Sequence, residues 1–359
     1  MSASLFSPTT LGPLTLGNRL VMAPMTRNRA PGNVPNPLMA RYYAERADVG
    51  LIVTEGTSPS PNGLGYPSIP GAYSSEQGAG WQLVADAVHK AGGKIFVQLM
   101  HCGRVAHPLN LPAGAEVVSS SAVAAAGQMH TPEGPKDHPV PRALRSDELP
   151  ALIAELVASA KNVVAAGCDG VELHAANGYL LEQFLNPACN QRTDAYGGSA
   201  ANRIRFVVEV AAAVAKAIGG ERVGIRLSPY GTNGGMTSSY DGIDAQYLLL
   251  TEQLVATGIQ YLHVVDHSKM GAPEVPASLK RAMRRAWPRS FILAGGYDKA
   301  SASAAIVEGH ADLIAFGRPV LANPGFATRL ERDLKLNDPD YSTLYTPGEK
   351  GYVDYPPAR

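Results

Sequence analysis

Cysteine is scarce in this chain: three in 359 residues, at positions 102, 168 and 189, with no Cys-x-x-Cys pair. A sparse, odd count argues against a disulfide framework and against a zinc or iron–sulfur site. It suits a reducing compartment, and a cytoplasmic location is expected. An excess of charge of either sign is also missing. Lys plus Arg and Asp plus Glu number 31 each, so no excess charge draws the chain to nucleic acid or to an acidic membrane. No apolar run approaches the roughly 20 residues needed to span a bilayer. Residues 1–6 lack a basic segment followed by an apolar core, so no secretory leader is expected. A G-x-G-x-x-G after the first apolar run is absent too, which weakens a doubly wound dinucleotide-binding sheet.

What the chain does have is alternation. Eight short, nearly uninterrupted apolar runs occur at residues 20–23, 51–54, 95–99, 171–173, 223–227, 261–265, 291–294 and 313–316. Such runs read as strands buried on both faces. Helix candidates follow them at 37–47, 81–91, 149–166, 202–218, 244–257, 279–286, 300–308 and 326–334. Ser74-Ser75-Glu76-Gln77 fits a capping box. Ile204, Val207, Val208, Ala211 and Val214 recur at helical spacing. Gly167, Gly258 and Gly309 stand where helices stop before the next strand. Eight strand–helix units predict an α/β fold, a closed (β/α)8 TIM barrel.

Two segments depart from the repeat. Leu5, Leu11, Leu14 and Leu16 around Gly12-Pro13 predict an N-terminal hairpin that caps the bottom of the barrel. Residues 101–146, rich in Gly, Pro, Ser and Ala, form a long excursion after the third strand. A loop of that length in a compact domain is usually functional, and it leaves the face where barrel active sites lie. It is read as a lid or pocket wall within a single domain spanning residues 1–359.

Polar residues inside apolar strands mark candidate chemistry, because unpaired burial costs a few kcal/mol. Gln98, Glu172 and Arg226 are such residues. Internal pairing, for example of Glu172 with Arg226, is one reading; for Gln98 and Arg226, near the C-terminal strand ends, a ligand is favoured. The last two strands end in Gly295-Gly296 and Gly317-Arg318. Glycine exposes backbone N–H groups there and Arg adds a fork suited to phosphate. That phosphate could belong to a sugar phosphate or to a flavin nucleotide. After the fourth strand, His174 and Asn177 can both donate to one carbonyl oxygen, and Tyr179 can supply a proton.

Together these segments resemble the old yellow enzyme family. The resemblance rests on Arg19-Leu20-Val21-Met22-Ala23-Pro24-Met25-Thr26-Arg27, His174-Ala175-Ala176-Asn177-Gly178-Tyr179-Leu180, and Asn190-Gln191-Arg192-Thr193-Asp194. Tyr196-Gly197-Gly198-Ser199, Asn202-Arg203, Ala315-Phe316-Gly317-Arg318-Pro319 and Gly351-Tyr352-Val353-Asp354-Tyr355-Pro356 extend it across nearly the whole chain. It implies non-covalent FMN, with Pro24, Met25 and Thr26 against the isoalloxazine and Thr26 bonding O4. Gly56 and Gln98 would line the ring and Arg226 would sit near N1 and O2. Gly295, Gly296, Gly317 and Arg318 would hold the phosphate.

The implied activity is that of an ene-reductase of the NADPH dehydrogenase type. NADPH or NADH reduces the flavin and leaves. The activated C=C bond of an α,β-unsaturated carbonyl compound or nitroalkene then takes hydride from N5 and a proton from Tyr179, while His174 and Asn177 hold the activating oxygen. Tyr66, Met100 and Tyr345 would also meet the substrate, although Tyr66 and Tyr345 read equally well as packed aromatics. Many relatives carry Trp where this chain has Met100, so a roomier pocket is expected there. The expected partners are small activated alkenes and NAD(P)H, with the chain a monomer or homodimer. The rivals are a barrel lyase or isomerase of a phosphorylated substrate, a non-catalytic flavin carrier, and an iron–sulfur dienoyl-CoA reductase, the last disfavoured by the missing cysteine cluster.

Overall fold

A computed structural model describes residues 4–358. The first half of the segment read for a leader, residues 1–3, lies outside the described residues.

Eight parallel strands close a barrel. They are β1 (Leu20–Met22), β2 (Leu51–Val53), β3 (Ile95–Leu99), β4 (Gly170–Ala175), β5 (Val223–Leu227), β6 (Tyr261–Val265), β7 (Ser290–Ala294) and β8 (Leu313–Phe316). Each pairs with the next, and β8 pairs back to β1. The helices that follow are α1 (Pro37–Ala44), α2 (Ser75–Lys90), α3 (Leu149–Ala165), α4 (Ala200–Ile218), α5 (Ile243–Ala256), α6 (Ala277–Ala286), α7 (Lys299–Val307) and α8 (Phe326–Glu331). All eight expected strand–helix units are therefore present.

Side-chain period two divides each strand between two cores. Val21, Leu51, Val53, Phe96, Tyr261, Ile292, Ala294, Leu313 and Ala315 pack together inside the barrel. The alternate residues, such as Leu20, Ile52, Val97, Leu173 and Ile225, pack outward with the helices. Val207, Ala211 and Val214 of α4 are fully buried in that outer core, as the 3.6-residue period requires. The capping box of α2 forms as expected: Ser74 Oγ accepts from the Gln77 N–H, and Gln77 Oε1 accepts from the Ser74 N–H.

The N-terminal hairpin pairs Thr9–Leu11 with Leu14–Leu16. Leu11 and Leu16 are fully buried against the barrel interior, so the hairpin plugs the N-terminal end of the barrel. Gly224 shows how the interior is filled. A Cβ there would lie 2.0 Å from Cζ of Tyr261, so glycine on β5 makes room for the Tyr261 ring of β6.

Segment 101–146 carries more structure than a loop. Gln128–Thr131 and Gly134–Asp137 form an antiparallel hairpin, and Val118–Ser119 pairs in parallel with Arg142–Ala143. The polar stretch after β4 fastens it. Arg192 Nη1 donates to the carbonyls of Ser120, at 3.0 Å, and of Leu144. Ser119 Oγ donates to Gln183 Oε1 at 2.9 Å and Ser120 Oγ to the Gln183 carbonyl at 2.7 Å. Gln183 belongs to a short helix, Leu180–Leu185, which the sequence pattern did not reveal.

Candidate active site

The C-terminal ends of the strands surround a cavity of about 620 Å³. Pro24, Met25 and Thr26 after β1, Gly56 after β2, Gln98 and Met100 at β3, and Arg226 at β5 line it. Gly295 and Gly296 after β7 and Gly317 and Arg318 after β8 form another part of the wall. His174, Asn177 and Tyr179 from β4 and its loop line the same space, and Tyr345 reaches it from the C-terminal tail. Tyr66 is the exception among the candidate residues. It stands behind Tyr179, its hydroxyl 3.0 Å from the Tyr179 hydroxyl, and does not line the cavity.

A polar layer lies inside the barrel below this cavity. The carboxylate of Glu172 accepts from Gln98 Nε2 at 2.8 Å and from the Tyr261 hydroxyl at 3.0 Å, and meets His263 Nδ1 at 2.8 Å. The suggested pairing of Glu172 with Arg226 is thus replaced by one with His263, because strand register sets Gly224, not Arg226, opposite Glu172, whose carboxylate meets Tyr261 and His263 of β6. Burial pushes the Glu172 carboxyl up, but the opposing pull of His263, Arg226 and Gln98 leaves it below the ordinary carboxylate range.

Arg226 is only 6% exposed, and its Nε is buried without a hydrogen-bond partner among the described residues. A buried guanidinium with an orphan donor calls for an anionic or strongly polar ligand. His174 is also buried with an unpaired Nδ1. Burial, reinforced by Arg226, holds its ring well below the usual histidine range, so it is neutral near pH 7. Burial raises the Tyr179 phenol well above 10, and the neighbouring Tyr66 adds to that, so Tyr179 keeps its proton.

The opposite part of the wall is backbone-rich. Gly295 and Gly296 have φ of 125° and 74°, in the region that favours glycine. Cβ atoms there would lie 2.2 Å from the Asp266 carbonyl oxygen and 2.3 Å from Lys269 Cγ. Arg318 is exposed beside Gly317 and forms no ion pair among the described residues. The donor set therefore suits a long ligand with a phosphate at one end and a polar ring at the other. FMN is such a molecule.

Residues 4–337 match the NADH:flavin oxidoreductase / NADH oxidase family. The chain belongs to this family, that of the old yellow enzymes. It is 43% identical over 365 residues to chanoclavine-I aldehyde reductase of Penicillium roqueforti, covering 98% of this chain and 95% of that one. Morphinone reductase in complex with tetrahydroNAD superposes with a TM-score of 0.94 at 41% identity, covering 99% and 98% of the two chains. The old yellow enzyme homologue of Zymomonas mobilis gives 0.93 at 39% identity, covering 98% and 99%. This old yellow enzyme is an NAD(P)H-dependent, FMN-containing oxidoreductase that reduces activated alkenes. Neither a barrel lyase nor a non-catalytic flavin carrier fits that membership.

Two features of the site were not legible in the sequence. His267, after β6, lines the cavity and places Nε2 2.6 Å from Asn177 Oδ1. The second is a clamp on the C-terminal tail. Arg27 Nη2 donates to the Gly351 carbonyl at 2.6 Å, and Arg29 donates to the carbonyls of Thr343, Leu344, Gly348 and Lys350. The Tyr352 ring stacks on Tyr42 at 3.9 Å. Arg27 thus serves the tail that carries Tyr345, and leaves the cavity wall to Pro24, Met25 and Thr26.

Proposed function

We propose that His174, Asn177 and Tyr179 are the groups that activate and protonate the alkene in this ene-reductase. The observation that carries the reading is their shared place on one cavity wall, with a neutral imidazole, a carboxamide and a protonated phenol all available as donors. His174 and Asn177 hold the activating oxygen of an enal, enone or nitroalkene and draw electron density from the double bond. That leaves the β-carbon electrophilic. Losing one such donor typically costs 10²–10³ in rate. Tyr179 gives its proton to the α-carbon.

Pro24, Met25, Thr26, Gly56 and Gln98 would pack against the isoalloxazine, with Thr26 a hydrogen-bonding group for its O4 edge. Arg226 would face the N1 and O2 edge, and Gly295, Gly296, Gly317 and Arg318 would hold the phosphate. Bound FMN, reduced by NADPH or NADH, supplies the hydride. The Arg226 charge would tune the bound ring as well as hold it. Met100 and Tyr345 shape the substrate side, and Tyr66 backs Tyr179 from outside the cavity.

We further take residues 1–359 as one catalytic domain, with segment 101–146 as a substrate-side wall, acting as a monomer or homodimer. A reducing cytoplasm suits its three cysteines, which are free and buried. The test is anaerobic reduction of the purified holoenzyme by NADPH, followed by 2-cyclohexenone or maleimide. Reoxidation of the flavin by the alkene is expected in the wild type, and its slowing by at least about 10²-fold in H174A and N177A. Undiminished reoxidation in those variants would remove the two side chains from the reaction.

A further inference from the structure

The two ends of a carboxamide have nearly the same shape, so its orientation is set by what each end can bond. For Asn177 that choice matters: one end would donate to a bound oxygen and the other would repel it. The backbone under Asn177 is fixed first. Its φ is 60°, and its N–H donates to Ser228 Oγ at 2.9 Å. Ser228 Oγ in turn donates to Glu182 Oε1 at 2.7 Å, and Glu182 Oε2 accepts from the Gly178 N–H at 2.6 Å. These bonds place the side chain at the cavity but do not say which end faces it.

His267 meets one of those two ends. The loop that carries it is tied down by Asp266, which accepts from the Ser268 N–H at 2.9 Å, the Val275 N–H at 3.2 Å and Lys280 Nζ at 3.1 Å. Burial, with Arg226 adding to it, lowers the His267 imidazole to about 4. Near pH 7 the ring is therefore neutral and carries one proton. In the structure Asn177 Oδ1 is the end that faces His267 Nε2, 2.6 Å away, and because an amide oxygen can only accept, that contact requires the proton on Nε2. The amide nitrogen is then turned from the imidazole toward the cavity, and it makes no hydrogen bond within the described residues.

We infer that His267 is a positioning residue that acts through Asn177: it fixes the carboxamide with its N–H groups toward the substrate, and so restricts this side of the site to ligands that offer an oxygen acceptor. Enal and enone carbonyls and nitro oxygens qualify. An alcohol or amine presented as a donor does not. This rests on the role proposed for Asn177.

The experiment is a double-mutant cycle with H267A, N177A and the pair, plus H267Q, whose amide can still donate to Oδ1. All variants are first matched for flavin content. Two quantities are read: kcat/KM for 2-cyclohexenone, and the Kd of 2-cyclohexenone for the oxidised holoenzyme, followed through the flavin spectrum without NADPH. H267A should weaken both by about tenfold, the worth of one well-made hydrogen bond. H267Q should recover most of that loss, and H267A should add nothing in the N177A background. Nitrogen-15 spectra of the histidine rings should show His267 protonated at Nε2. Additive losses in the double variant, no rescue by glutamine, or a proton on Nδ1 would each overturn the inference. If instead wild-type enzyme binds the enone but is never reoxidised by it, the proposed function fails and not the positioning by His267.

Discussion

The hydroxyl oxygens of Tyr66 and Tyr179 lie 3.0 Å apart, and only the second ring borders the cavity. The pair is partly buried and packs against the buried Met100, Cys102 and Leu64. Their rings meet edge to face at 6.3 Å. A phenol that gives up its proton here leaves a phenolate in a poorly solvated place, and Tyr66 is the donor in reach of it. The Tyr179→Phe enzyme should therefore be reduced by NADPH but be reoxidised by enone about 10²-fold more slowly. Tyr66→Phe should slow the same step by no more than about tenfold, the loss of one hydrogen bond. Stopped-flow absorbance of the two half-reactions separates these outcomes. A Tyr66 variant as slow as the Tyr179 variant would mean that the two phenols deliver the proton as one hydrogen-bonded unit.

Arg226 predicts an asymmetry between holding the cofactor and holding the fold. Its guanidinium is buried with an orphan Nε, while the carboxylate of Glu172 is already bonded by Gln98, Tyr261 and His263. Replacing it with methionine removes a desolvation cost from the apoprotein along with the charge. Apoprotein stability in urea should stay within about 1 kcal/mol of wild type. FMN affinity should fall by about ten- to a hundredfold, the usual worth of a hydrogen bond to a charged group. Fluorescence quenching on FMN titration measures it. Unchanged affinity would move Arg226 out of the cofactor site.

The barrel was legible because burial on both faces leaves strands few polar options. That made the eight apolar runs visible, and it made Gln98, Glu172 and Arg226 conspicuous within three of them. Partners were harder to read, because barrel closure pairs residues far apart in the chain. Glu172 found His263 across two strands, at a separation of 91 residues. The Arg27 clamp on Gly351 spans 324 residues. His267 sits in an irregular loop where no period marks which way a side chain faces. The helices Leu180–Leu185 and Arg318–Leu321 are too short for a 3.6-residue pattern to emerge. Tyr66, read either as a substrate contact or as a packed aromatic, stands behind Tyr179 and outside the cavity lining, a distinction of depth that its place in the loop after β2 does not encode.

Glu182 gives the stability of the fold a defined pH dependence. Burial pushes its carboxyl from 4.5 up to about 7, against the bonds from Ser228, Gly178 and Tyr247. Between those two values the unfolded chain has released the proton and the native state retains it, so stability falls as pH rises. The contribution is fully present below pH 4.5 and is lost by the time pH passes 7, for a total of about 3 kcal/mol. Glu55, also raised to about 7 by burial, adds a decline of the same sign. Glu182→Gln should remove the first and leave the second. Urea denaturation at pH 5 and pH 8 should thus show a gap between the two values that is smaller by about 2–3 kcal/mol in the variant. An equal gap in both proteins would mean that Glu182 is ionised throughout.

Met100 and Gly56 share one space. A Cβ on Gly56 would lie 2.4 Å from the Met100 Sδ, and Met100 itself is 1% exposed. The Met100 N–H donates to the Thr57 carbonyl at 2.8 Å, so the backbones run side by side and the thioether lies over the glycine. A flexible thioether adapts to what is bound beside it, whereas an indole does not. Met100→Trp should then narrow the substrate side of the cavity and favour one face of a prochiral enone. A difference of about 1–3 kcal/mol between two binding poses is what a change in pocket volume of this kind supplies, and 1.4 kcal/mol is already about tenfold in product ratio. Overpacking should also cost about 1–3 kcal/mol of stability. Chiral chromatography of reduced 2-methyl-2-cyclohexenone reads the first effect and urea denaturation the second. A destabilised variant with an unchanged enantiomer ratio would show that Met100 packs against Gly56 without shaping the substrate pocket.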